Sequence, residues 1–158
     1  MLQPITIYTD GAASGNPGPG GYGVLLLAAG HRKELSAGFR LTTNNRMELL
    51  AVIAGLAAIK QEGHLVTIYT DSRYVVDAVE KGWLFAWERA GFKNKKNPDL
   101  WIRLLSLYRK HRVTFVWVRG HAGIPGNERC DQLAVAAYNA PNLPPDRYYE
   151  DFVAASGR

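Results

Sequence analysis

The chain has 158 residues, 47% of them hydrophobic, which is ample for one well-buried domain and short for two. Its single cysteine, Cys130, excludes an internal disulfide and fits a reducing compartment, hence a cytoplasmic setting. The net charge is +5, and no zinc-ligand spacing, Walker A lysine or G-x-S-x-G elbow accompanies it.

Residues 4–10 alternate and are β-branched, which predicts a first strand and argues against a signal peptide there. Gly18 to Gly23, inside "YTDGAASGNPGPGGYGVLLL", then satisfies G-x-G-x-x-G. A dinucleotide site would need a helix to follow, with N–H donors for the phosphates. Instead "VLLLAAGHRKELSAGFRLTT" reads as two extended runs around Gly30-His31, and Pro17 and Pro19 lack the donor. The glycines therefore predict a turn joining two antiparallel strands, open to close approach by a large, flat partner, with strands at about 20–28 and 32–42 on either side of Gly30-His31.

A helix is expected from Asn44 or Asn45 to about Gln61, and its apolar run Leu49–Ile59 is too short to span a bilayer. "HLVTIYT" predicts a fourth strand. Helices follow at Ser72 to about Lys81, at 83–89, and at Pro98 to about His111. "RVTFVWV" predicts a fifth strand and Asn127 to about Asn139 a further helix. A meander of strands followed by alternation with helices predicts an α/β fold with a mixed sheet. The proline-rich end, residues 141–158, is expected to be a loosely attached tail beyond a single domain at 1–140.

Four acids stand at the ends of these elements. Thr6-Ile7-Tyr8-Thr9-Asp10 recurs as Thr67-Ile68-Tyr69-Thr70-Asp71, so two apolar strands each end on Thr-Asp. If those strands are parallel neighbours, about 4.8 Å apart, Asp10 and Asp71 sit side by side where open α/β sheets gather ligands. Each alone could merely cap a turn, Asp71 that of the helix after it. Glu48 is the only charged residue from Met47 to Ile59, beside Asn44, Ala51, Val52 and Gly55 on its helix face. A lone Glu near a helix start could merely answer the helix dipole. Its small neighbours let the helix lie close to the sheet, and an inward carboxylate with no basic residue three or four places away would call for a cation. Asp131 lies one turn beyond Asn127, the expected N-cap. His121 precedes it on a loop loosened by Gly120, Gly123 and Gly126, and a mobile histidine can move protons. Four carboxylates without soft ligands suit magnesium, and two such ions can drive phosphodiester hydrolysis.

Between Lys81 and Asn97 five basic residues face one Glu88, giving that segment +4, interleaved with Trp83, Phe85, Trp87 and Phe92. Cations mixed with aromatics point to nucleic acid.

The motifs "TDGAASGNPGPGGYG", "TTNNRMEL", "YTDSRYV" and "VRGHAGIPGNERCDQLA" resemble, in order and spacing, those of bacterial ribonuclease H of type 1, from about residue 3 to about residue 140. The resemblance implies the ribonuclease H fold, a five-stranded mixed sheet flanked by helices. It implies cleavage of the RNA strand of an RNA–DNA hybrid, leaving 3′-hydroxyl and 5′-phosphate ends, by a monomer. Asp10, Glu48, Asp71 and Asp131 are implied to hold two Mg²⁺ ions, with Mn²⁺ as the substitute, and His121 to assist. Gly11, Asn16, Thr43, Asn44 and Asn45 are implied to meet the hybrid, where the 2′-hydroxyl marks RNA. Trp83, Trp87, Lys93, Lys95 and Lys96 match a basic protrusion, at about 81–97, that grips the DNA strand. Leu41, Ala86 and Arg73 depart from the family's usual Arg, Asn and Gln, so grip and preference differ here rather than catalysis.

Overall fold

The computed structural model describes residues 2–156. Its elements are β1 (Ile5–Ala13), β2 (Gly18–Ala28), β3 (His31–Thr42), α1 (Asn44–Ala57), β4 (Leu65–Thr70), α2 (Arg73–Glu80), α3 (Trp83–Arg89), α4 (Pro98–Tyr108), β5 (Arg112–Trp117), α5 (Pro125–Tyr138) and α6 (Arg147–Ser156). The strands form one sheet in the order β3-β2-β1-β4-β5. The β1–β2 and β2–β3 pairs are antiparallel, the β1–β4 and β4–β5 pairs parallel. The expected mixed five-stranded sheet is therefore present, and its two halves meet at β1.

Alternation along β1 decides what lies on each face. Ile5, Ile7 and Thr9 point to one side and are buried. α1 covers that side, and Gly55 lets it settle onto Ile7 and Val24, with 3.1 Å and 3.2 Å between their nearest atoms and the point a Cβ would occupy. Nine of the fourteen α1 residues are buried because α4 packs on its other flank. Leu49, Ile53, Leu56, Ile68, Trp101 and Leu104 form the centre of this core. Fully burying each large apolar side chain stabilises the fold by about 1.5–3 kcal/mol.

α5 covers the opposite face. The glycines of β2 serve it: side chains at Gly21 and Gly23 would collide with the carbonyls of Ala134 and Cys130. Their space is thus filled by the protein's own helix, which corrects the expectation that they lie open to a partner. Gly126 plays the same part against the Tyr8 ring, so it is a packing residue within α5 and does not loosen the preceding loop.

The expected bounds of α1 and α5 move. α1 ends at Ala57, four residues before Gln61, where the apolar pattern gives way to Lys60-Gln61-Glu62. α5 begins at Pro125, whose fixed φ suits a first helical position. Ile124 is therefore the N-cap, and Asn127 lies inside the first turn rather than capping it.

The expectation of a loose tail also fails. Asp146 is buried and accepts from the Arg46 guanidinium (Nε to Oδ2 2.7 Å, Nη2 to Oδ1 3.0 Å) and from the Thr42 hydroxyl (2.8 Å). The Arg40 N–H donates to Pro144 O (2.9 Å), and its guanidinium forms a paired bond with Glu150. The sequence hid this because the anchors are polar and distant in the chain, whereas tails are usually read from apolar periodicity.

Candidate active site

The parallel β1–β4 ladder runs from Ile5↔Val66 to Tyr8↔Tyr69, whose rings stack 5.0 Å apart. Continuing that register brings Asp10 and Asp71 level just beyond it. β4 ends there, as expected, but β1 does not: it continues to Ala13, paired with β2, so Asp10 lies within the strand at its parting from β4. Ser72 accepts from the Val75 N–H (3.3 Å) and is the N-cap of α2. The Asp71 carboxylate is therefore not spent on capping. Its backbone is pinned, since Trp117 Nε1 donates to Asp71 O (3.0 Å).

Glu48 reaches the pair because Gly11 has no side chain. A Cβ there would collide with the backbone of Met47 and Glu48, so α1 crosses directly above β1 at this point. Carboxylate oxygens of Asp10, Glu48 and Asp71 lie within 4.8 Å of one another. Asp131 arrives from α5 and lines the same depressions, with His121 at their rim. Three predicted acids thus form one tight cluster and the fourth borders it.

The electrostatics follow from crowding. Burial, then the charges of Asp71 and Asp131, push the Asp10 carboxyl up to about 8. Burial, then Asp10 and Asp71, raise Glu48 well above its ordinary range. Glu48 Oε1 is buried and has no hydrogen-bond partner, a costly state unless something else fills its coordination. An all-oxygen donor set with an orphaned carboxylate oxygen fits a hard divalent cation.

The remaining predicted residues fall around this cleft. His121 is exposed and adopts a left-handed φ of 55°, uncommon outside glycine and consistent with a special loop conformation. Thr43 N-caps α1 through the Arg46 N–H (3.2 Å). Asn16 Oδ1 accepts from the Asn44 N–H (3.1 Å), and Asn44 Oδ1 accepts from the Ala13 N–H, tying the β1–β2 turn to the start of α1. Asn45 is exposed beside them. Gly11 is occupied by α1, as described. Trp83 is 47% exposed at the start of α3, whereas Trp87 packs edge-on to Trp101 at 5.6 Å. Lys93, Lys95 and Lys96 are exposed, with Lys95 Nζ 4.9 Å from the Trp87 ring.

Asn127 and Glu128 also line the acid depression, and sequence reasoning gave neither a role there. Asn127 stands one turn before Asp131, which was the available signal. Its Oδ1 is buried without a partner. Arg73 borders the cleft too, its guanidinium 3.9 Å from the centre of the Trp117 ring.

A carboxylate cluster at the parting of strands in a mixed sheet is suited to metal-dependent phosphodiester hydrolysis. The family model for RNase H matches residues 3–139. The chain is 65% identical over 150 residues to a ribonuclease H of Desulforamulus reducens, spanning 92% of this chain and 94% of that one. It is 58% identical over 146 residues to ribonuclease HI of Synechocystis sp., spanning 88% and 91%. Among solved structures, LC9-RNase H1, a type 1 RNase H with the type 2 active-site motif, superposes with a TM-score of 0.82 at 36% identity, over 90% of this chain and 75% of that one. LC11-RNase H1, solved in complex with an RNA/DNA hybrid, gives 0.63 at 27% identity, over 85% and 96%. The chain belongs to the RNase H family.

Proposed function

We propose that the chain is an endonuclease that hydrolyses the RNA strand of RNA–DNA hybrids, leaving 3′-hydroxyl and 5′-phosphate ends. The observation that carries this reading is the oxygen-only cluster of Asp10, Glu48 and Asp71, with Glu48 Oε1 buried and unpartnered. Asp10, Glu48, Asp71 and Asp131 would hold two Mg²⁺ ions, with Mn²⁺ as the substitute. Ions so held would supply an activated water and would neutralise charge on the leaving oxygen.

The protein's own groups do the rest. The acids fix where the scissile phosphate can lie, Asp10 carried by β1, Asp71 by the end of β4, Glu48 by α1 and Asp131 by α5. His121, exposed at the rim, takes or delivers a proton as the product leaves. Asn16 and Asn44 spend their side-chain carbonyls on the fold. Their NH₂ groups are left to donate, with Asn45, to sugar and base edges in the minor groove. The backbone at Gly11 stays close to the scissile strand, and Thr43 offers its hydroxyl to a phosphate of the other strand. Trp83, Trp87, Lys93, Lys95 and Lys96 hold that DNA strand. Because one chain supplies every acid, a monomer suffices. No helix among the described residues is long and apolar enough to cross a membrane. The lone free cysteine supports work in a reducing compartment, the cytoplasm.

The test is to incubate the protein with magnesium and end-labelled hybrid, duplex DNA, duplex RNA and single strands. Only the RNA of the hybrid should be cut. Cleavage of duplex DNA would replace this reading with that of an integrase- or resolvase-like nuclease, and tight hybrid binding without cleavage with that of a binding module.

A further inference from the structure

α6 contributes nothing to the core. None of its side chains is buried, and Tyr148 and Phe152 are 43% and 52% exposed. Yet its place is firmly set. Asp146 caps it, accepting from the Tyr149 N–H (3.4 Å) while Arg46 holds the same carboxylate. Glu150, one turn on, is held by Arg40. Charged clamps thus hold aromatic side chains in the open, an arrangement that burial alone would not favour.

Those aromatics border a groove of about 580 Å³. Thr43 and Asn45, at the start of α1, form one wall; Lys95 and Lys96 form a second; Tyr149 and Phe152 form the third. Asn45 also borders the cleft containing Asp10, Glu48 and Asp71. The two depressions therefore join across the N-terminus of α1. A duplex with one strand at the acids carries its other strand past Asn45 and into this groove. The lysines suit that strand's phosphates, and the aromatic faces suit its sugars and bases. We propose, resting on the function proposed above, that α6 is a further wall of the substrate surface, with Tyr149 and Phe152 packing against the uncut DNA strand.

The experiment uses Phe152→Ala and the double variant Tyr149→Ala/Phe152→Ala in the full chain. Phe152 is exposed and should not affect folding, which a melting curve checks. On a hybrid long enough to cross the groove, KM should rise about fivefold in the single variant and more in the double, on the scale of a lost aromatic–base contact. kcat should stay within about twofold, because none of the four acids lines this groove. The slope of affinity against salt should not change, since no cation is removed. On a hybrid whose DNA strand stops short of the groove, wild type and variants should become equal. An unchanged KM on the long hybrid overturns the proposal, as does an equal rise on the shortened one. Failure of the wild-type protein to cut any hybrid would instead sink the proposed function itself.

Discussion

Arg46 and Asp146, one hundred residues apart, form an ion pair in which neither side chain is more than 6% exposed. Arg46 also holds Asp99, Nη2 to Oδ2 at 2.8 Å, so one guanidinium joins α1, α4 and the start of α6. Removing it leaves the Asp146 charge buried with only the neutral Thr42 hydroxyl and Tyr149 N–H to meet it. Arg46→Ala should cost about 3–5 kcal/mol, a fall in Tm of about 6–20 °C by calorimetry. Arg40→Ala, at an exposed pair, should shift Tm far less. Equal effects would mean that burial is not what gives the Arg46 pair its weight.

Asp10→Asn and Asp71→Asn should each abolish cleavage while leaving hybrid affinity within a few-fold, since the acids meet the reacting phosphate and not the length of the duplex. Gel-shift and cleavage assays on the same hybrid decide this. Full activity in either variant would remove the metal assignment.

The raised Asp10 carboxyl gives a pH dependence with a definite sign. Its ordinary value is 3.8 and the folded value about 8, so between these the folded state binds more protons than the unfolded. Stability of the metal-free protein should therefore fall as pH rises from about 4 to about 8, then level off. Glu48 acts in the same direction. Melting in a chelator from pH 5 to pH 9 tests this. Magnesium should restore Tm most strongly at the alkaline end, and Asp10→Asn should flatten the slope. A chelated wild type that gains stability across that range would contradict the crowding of the acids.

His121→Ala should lower kcat by about 10²-fold or less and change KM little, the range of general acid–base assistance. A variant as inactive as Asp10→Asn would make His121 essential rather than assisting.

Lys93, Lys95 and Lys96 together should set part of the salt dependence of binding. Each lysine that neutralises a phosphate contributes roughly 0.7–0.9 to the slope of log K against log salt. The triple alanine variant should flatten the slope by about 2–3, raise KM and spare kcat. An unchanged slope would show the three to be an ordinary solvated face.

How much of this could be read from the chain alone depended on the range of the signal. The strands were legible because their alternation is local, and the repeated Thr-Ile-Tyr-Thr-Asp sets Asp10 and Asp71 side by side once the two strands are parallel neighbours, as they are. Glu48 stood out as the only charged residue from Met47 to Ile59. The N-terminus of α5 was misplaced because Asn127 looks like a cap, while Pro125 had the stronger conformational preference. α6 was missed because what fixes it is Arg46, Arg40 and Thr42, residues far away in sequence. Asp146, followed by an aromatic-rich segment, was a capping signal in plain view.

Gly23 is the cross-strand partner of Asp10, and the Cys130 carbonyl fills the room a side chain there would need. Asp131 is the next residue along α5. The reach of one acid toward another is thus gauged by a hydrogen atom on the neighbouring strand. An alanine at that site would lift α5 outward, leaving the core under α1 in place. Displacements of about 1 Å can slow an enzymatic step roughly a hundredfold. The enzyme's tolerance of sequence drift is therefore limited at a featureless strand position behind the cleft as well as at the carboxylates inside it.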